Sequence, residues 1–353
     1  MERRLKTTHT AHMITVRATI WLLCALTSGL TAVNAKGSGL DDYTTLRFQV
    51  PAACELGRHC WVVQYVDHDP SADAADYACG VRTYDGHTGT DFGVRDLTAV
   101  SQGVAVVASA PGMVRATRDG MADELFEPKS ADRIRSRECG NGVVIDHGEG
   151  WETQYCHLRQ GSVAVRPGDN VEAGEVIGQI GLSGRTQFPH LEFVLRLHGE
   201  FIDPFTGPEP GPGCSAQPGN LWDDDARDRL AYSPVDIYHA GFAAGVPSED
   251  DVRAGRLNDV VLAATAPALV AWVEIFGARR GDRLVMRVIG PDESTIAHKE
   301  SVLEKDQIRV FRYLGKRRRG DRWTPGTYRA EITLTRQKGG IVVRVARPSV
   351  EVQ

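Results

Sequence analysis

The chain has 353 residues, of which 42% are hydrophobic and 25% charged, and a formal net charge of −5 at pH 7. The length allows two domains with separate cores, and the composition is ordinary for a soluble globular protein. So mild an acidity gives no reason to expect nucleic acid as the main partner.

In chain order, Arg3, Arg4 and Lys6 precede an apolar run from Ala18 to Leu26 and small residues ending Val33-Asn34-Ala35. This is the pattern of a cleaved export signal over residues 1–35. The run is too short for a comfortable membrane span, with an uncleaved anchor as the competing reading. Leu23 is bulkier than the residue a lipid-attached Cys24 favours. The expectation is a secreted or periplasmic protein with no stable membrane anchor after signal cleavage. Without Cys24, six cysteines remain: Cys54, Cys60, Cys79, Cys139, Cys156 and Cys214. An even set suits an oxidising compartment, and six allow fifteen pairings. Only Cys54 with Cys60, around Gly57, suggests itself locally.

After a linker at Lys36–Gly39, residues 104–118 read as strand, turn and strand about Ala110-Pro111-Gly112. Residues 119–138 are charged and irregular, as in a surface insertion. Gly142–Asp146 and Glu152–His157 flank a glycine-containing turn and form a hairpin. Short apolar runs broken by glycine and Pro-Gly continue to Ile180-Gly181, and residues 190–197 alternate again. Asp203-Pro204-Phe205 closes the unit. The pattern is all-β rather than helical. Residues 206–220 are rich in proline and glycine, and a short helix or loop follows from Trp222 to His239. Beyond about 258, alternating runs at 268–275, 283–288, 308–313, 327–334 and 341–345 favour a small β-sandwich. The basic run Lys316–Arg319 reads as a solvated hairpin loop, or as a contact for anionic wall polymer or a membrane surface.

The chemistry gathers in three histidine segments. His87 and Asp91 lie about 13 Å apart if extended, too far to share an ion, and Gly89 lets the backbone turn so that both converge. His190 and Glu192 are two apart on a strand and project from one face, about 6 to 7 Å apart at the backbone. One could bind an ion while the other faces a reacting carbonyl. His157 ends a neighbouring strand and could supply a second imidazole beside an open coordination position, as a metal peptidase needs.

From about 80 to 205 the chain resembles the M23 family of zinc metallopeptidases, the lysostaphin or LytM-like endopeptidases that cut bacterial cell-wall peptides. The resemblance rests on Gly86-His87-Thr88-Gly89-Thr90-Asp91-Phe92, Ala110–Val114, Gly140–Gly148, Tyr155-Cys156-His157-Leu158, Val165–Asp169, Gly174–Gly178 and Gly181–Glu192. It implies an antiparallel β catalytic module over 81–206 behind an N-terminal extension, 36–80, packed on it. A connector, 207–257, and a β-sandwich-like domain, 258–353, would follow. It also implies Zn2+, with His87 and Asp91 as ligands, His157 and His190 as catalytic histidines, and a peptidoglycan peptide as substrate, with a wall-associated protein as a further candidate partner.

The family's late motif is His-x-His, and here the second position is Glu192. Glutamate is a legitimate zinc ligand. Two carboxylates and one neutral imidazole cancel the ion's double charge, so the centre would acidify water less and favour somewhat harder metals. A slower peptidase is one outcome. The other is a weakened or inactive protein that binds wall peptide or regulates another wall hydrolase. A purely structural or adhesive role is the remaining alternative.

Overall fold

The computed structural model describes residues 46–209, 214, 219–258, 260–337 and 339–353. The expected export signal, Cys24 and the Lys36–Gly39 linker lie outside the described residues. From residue 45 onward the chain forms one compact unit built almost entirely of antiparallel strands. Among the described residues no helix is long and apolar enough to cross a membrane.

The first half centres on an eight-stranded sheet. Its order is Cys60–Gln64, Thr90–Val94, His190–Leu197, Trp151–Leu158, Asn141–Gly148, Gly112–Arg118 and Asn170–Val171, with Glu200–Ile202 hairpinned onto His190–Leu197. The expected hairpin at 142–157 forms, Val144 facing Gln154 and Ile145 facing Thr153. The strand, turn and strand at 104–118 also form, but the two strands do not pair. Ala105–Val107 pairs with Val176–Gln179, and Gly112–Arg118 pairs with Asn141–Gly148. Pro111 and Gly112 therefore pass the chain from one sheet to another. Buried side chains of alternate strand positions, among them Phe92, Val143, Ile145, Tyr155, Leu191, Phe193 and Leu195, make the core with Phe48 and Trp222. Residues 119–138 are an insertion containing only short helical turns, Pro128–Ser130 and Ala131–Ile134.

The second half is a sandwich. A three-stranded sheet (Asp236–Ala243, Ala268–Ala278, Gln307–Arg317) faces a six-stranded one containing Arg283–Ile289, Thr295–Val302, Gly326–Arg336 and Ser349–Val352. Phe242, Leu269, Val273 and Ile275 from one sheet pack on Leu284, Met286, Val288, Ile332 and Leu334 from the other. Two sequence expectations need correction. Only Asp224–Arg229 is helical between Trp222 and His239, and Asp236–Ala243 is a strand paired with Ala268–Ala278. The sandwich thus begins at Asp236, inside the stretch expected to be a connector. Small residues (Ala240, Gly241, Ala243) hide that strand by diluting the β-branched and aromatic signal. Lys316 and Arg317 are not loop residues either. They end the Gln307–Arg317 strand, opposite Leu269 and Ala268, and the loop begins at Arg318.

Three disulfides fix the unit: Cys54–Cys60, Cys79–Cys214 and Cys139–Cys156. Cys54–Cys60 agrees with the local expectation. His68 bonds Asp203 at 2.7 Å, a pair 135 residues apart that no sequence spacing shows.

Candidate metal centre

Strand register builds most of the site. Asp91 lies directly opposite Glu192, and Glu192 directly opposite Cys156. Cross-strand partners share a face, and so do residues two apart, so Asp91, Glu192 and His190 come to one face. His157 follows Cys156, and strict alternation would send it to the other face. Its backbone is in the left-handed region, φ 63°, which breaks the alternation and brings its Nε2 to 3.5 Å from Glu192 Oε2. His87 arrives from the loop before Thr90, held by its own N–H to Tyr84 and by its carbonyl to the Asp67 N–H.

The chain bends at Gly89, as expected, and His87 and Asp91 converge. The position also excludes a side chain. A Cβ there would come within 2.9 Å of Glu192 Cγ and 3.1 Å of the Phe193 carbonyl. The glycine thus leaves room for Glu192 beside the His87–Asp91 segment.

The resulting geometry is tight. His87 Nε2 is 3.2 Å from Asp91 Oδ1 and 3.8 Å from Glu192 Oε1, and His190 Nε2 is 3.6 Å from Asp91 Oδ2. His87, Asp91 and Glu192 each offer one ligand atom, all within 4.8 Å of one another. His157 and His190 lie side by side, ring centroids 4.7 Å apart. All five residues singled out from the sequence meet at one point.

Each imidazole is oriented by a backbone carbonyl at its Nδ1: Tyr65 for His87 (2.7 Å), Ser183 for His157 (2.7 Å) and Phe188 for His190 (2.9 Å). A carbonyl can only accept, so each Nδ1 carries the proton and each Nε2 faces the centre. Sequence reading missed these partners, because an accepting carbonyl belongs to every residue type. It also missed Tyr84, whose half-exposed ring leans on His87 at 4.5 Å.

Electrostatics distinguish the groups. Burial lowers the His87 pKa, but the adjoining Asp91 carboxylate outweighs it and raises the value to about 9. Burial acts upward on Asp91 and Glu192, yet their histidine neighbours hold both carboxyls below the usual range. Burial also disfavours charge on His157, but Glu192 overrides it and raises that imidazole. His190 is pushed down, burial dominating the pull of Asp91. The side chains alone thus create a negative centre that draws in positive charge. His87 Nε2 and Asp91 Oδ1 are buried and, 3.2 Å apart, make no aligned hydrogen bond. Orphaned buried polar atoms are costly, and a cation among the three ligand atoms would satisfy them. The donor set of one imidazole and two carboxylates fits zinc.

A cavity of about 450 Å³ opens from Glu192 across the same sheet face, lined by Thr88, Gln154, Cys156, Val194, Arg196 and Phe201. Arg118 and Arg137 line it and also a second cavity of about 550 Å³ walled by the 119–138 insertion.

Comparison with known proteins gives a family match over part of the chain. Residues 85–204 match peptidase family M23. The DD-carboxypeptidase/endopeptidase Mpg of Neisseria meningitidis serogroup B is 36% identical over 126 residues, 36% of this chain and 24% of that protein. The peptidoglycan DD-endopeptidase ShyA of Vibrio cholerae is 34% identical over 117 residues, 33% of this chain and 22% of that one. The chain therefore spans about a quarter of the length of the curated relatives it matches. Among solved structures, the catalytic domain of lysostaphin from Staphylococcus simulans aligns at 21% identity and TM-score 0.27, over 40% of this chain and 85% of that one. At that score the likeness adds nothing to the fold. Over residues 85–204, this chain carries a domain of peptidase family M23.

Proposed function

We propose that this protein is an exported metal-dependent endopeptidase that hydrolyses peptide bonds in bacterial cell-wall peptidoglycan. His87, Asp91 and Glu192 hold a zinc ion, and His157 and His190 are the catalytic histidines. The observation that carries the reading is the pair of orphaned buried atoms, His87 Nε2 and Asp91 Oδ1, closing on Glu192 with two further imidazoles beside them.

A bound zinc ion supplies a Lewis acid that polarises the peptide carbonyl and lowers the pKa of water. The chain's own residues do the rest. His157 and His190 stand side by side with Nε2 facing the ligand set, placed to stabilise negative charge on the carbonyl oxygen and to move protons. Glu192 turns one carboxylate oxygen toward His87 and the other toward His157, so as a ligand it would couple the metal site to that histidine.

Arg118 and Arg137 each give an N–H to a backbone carbonyl and, among the described residues, pair with no carboxylate. Lining the cavity beside Glu192, they favour a peptide substrate that carries a free carboxylate. Export is supported by the pairing of all six described cysteines, which suits an oxidising compartment. Likeness to enzymes named for peptidoglycan supports the substrate.

Metal analysis of purified protein, together with mapping of the products of peptidoglycan digestion, tests the reading. Stoichiometric zinc and new amino termini in the muropeptides are expected. Protein that holds no metal and releases no product with any divalent ion would overturn it.

A further inference from the structure

We propose that Phe188 is a positioning residue for His190, and that the C-terminal β-sandwich holds Phe188 in place through Phe276 and Tyr238. The catalytic part rests on the peptidase reading above, and the geometric part stands without it.

Phe188 touches His190 in two ways. Its ring stacks on the imidazole, centroids 4.4 Å apart and planes 21° from parallel. Its carbonyl accepts the His190 Nδ1–H at 2.9 Å, and the Thr186 hydroxyl closes the turn by donating to the same carbonyl at 2.7 Å. Stack and hydrogen bond together fix both the plane of the ring and its rotation. Nε2 is thereby set 3.6 Å from Asp91 Oδ2.

The turn carrying Phe188 does not support itself. The far side of its ring environment is the apolar cluster of Trp61, Val63, Tyr238 and Phe276, with Phe188 and Ile308 packed against it. Phe276 lies 6.2 Å from Phe188 by ring centroids, and Tyr238 stands edge-on to Phe276 at 4.9 Å. Tyr238, Phe276 and Ile308 come one from each of the three strands of the smaller C-terminal sheet. A second route runs through the backbone. The Val94 N–H bonds the Pro189 carbonyl at 3.1 Å, and the Val94 carbonyl accepts the Tyr238 hydroxyl. Gly93, opposite His190 in register, permits this approach. A Cβ there would meet Val63 at 3.0 Å and Tyr238 Oη at 3.4 Å.

The sandwich therefore grips the segment just before His190 by side chain and by main chain. Packed aromatic contacts transmit displacement because interiors are close-packed, and a catalytic group displaced by about 1 Å can lose about 100-fold in rate. On this reading the C-terminal unit is part of the catalytic body, whatever else it contacts.

The test uses the full mature chain, zinc-loaded, with histidines isotopically labelled for NMR. Phe188→Leu removes the stack and keeps bulk. Phe276→Leu alters the brace at a residue that touches neither His190 nor the metal centre. Both should move the His190 Cε1–H resonance away from its ring-shifted position and lower kcat about 10- to 100-fold, with KM and zinc content unchanged. Phe188→Tyr should restore both readouts, and the double variant should lose little more than either single one. If Phe276→Leu leaves the His190 resonance and kcat as in the parent, or if Phe188→Tyr does not restore them in a folded zinc-bound protein, the proposal is overturned. Should the parent hydrolyse nothing, the peptidase reading fails while the resonance shifts still decide whether the sandwich positions His190.

Discussion

Two carboxylate sites, one in each half of the molecule, differ in the kind of partner they have. In the C-terminal sandwich, Asp282 receives two N–H groups of Arg336, at 2.6 and 2.8 Å, and Glu274 is bound by Arg309. Arg336 also donates to the Gly277 and Pro234 carbonyls, so four of its five N–H groups are used. In the M23 domain, Asp91 and Glu192 face three imidazoles, and among the described residues neither pairs with an arginine or lysine. Burying charge is tolerable only when it is paired and hydrogen-bonded. The sandwich meets that condition with its own side chains. The other centre does not, and two of its buried polar atoms remain without a partner. One arrangement is a finished structural ion pair; the other is shaped for a charge that comes from outside.

The strongest way to break this comparison is His87→Ala. It should reduce bound zinc from about one per chain to none and abolish peptidoglycan cleavage, because ligand count sets affinity. Zinc retained at full stoichiometry would refute the ligand assignment. Arg336→Ala probes the opposite side. Leaving Asp282 buried and unpaired should cost about 3 to 5 kcal/mol in urea unfolding. That loss should be equal in zinc-saturated and chelator-treated protein, and a zinc-dependent loss would show that the two centres are not separate.

Glu192→His sharpens the charge argument. Removing one carboxylate leaves a net positive charge on the centre, and turnover on wall peptides should rise about tenfold with zinc still bound. An unchanged or lower rate in a zinc-loaded variant would count against Glu192 as a ligand.

A further expectation concerns pH dependence. His87 is raised from 6.5 to about 9 when the side chains stand alone. A group raised in the folded state adds stability that is fully present below its unfolded value and is lost as pH climbs through the folded one. Zinc-stripped protein should therefore lose stability between about pH 6.5 and 9. Zinc-loaded protein should not, because the ion replaces the proton, and the gain in melting temperature on adding zinc should grow across that window. A gain that shrinks with rising pH would contradict a proton and a cation competing for one position.

Much of this was legible from residue order. Alternation and Pro-Gly turns marked the strands of both β units, since side chains of a half-buried strand must alternate. His87, Asp91, His157, His190 and Glu192 stood out by residue type and by the resemblance of their segments to M23 motifs, because few side chains can serve as metal ligands or carry protons near neutral pH. The Cys54–Cys60 bridge was readable because the two are close in sequence.

The rest depended on contacts between distant segments. Spacing could not show that His157 sits in a left-handed conformation, that Gly89 makes room for Glu192 as well as bending the chain, or that Asp236–Ala243 belongs to the sandwich. It could not show which carbonyls orient the three imidazoles, since every residue has one. Nor could it reveal that Phe276 packs against the residue that stacks on His190. Sequence fixes which groups are available for chemistry and the period with which they repeat. Where those groups converge, and what holds them there, is set by strand register and core packing between residues far apart in the chain, and only the folded structure supplies it.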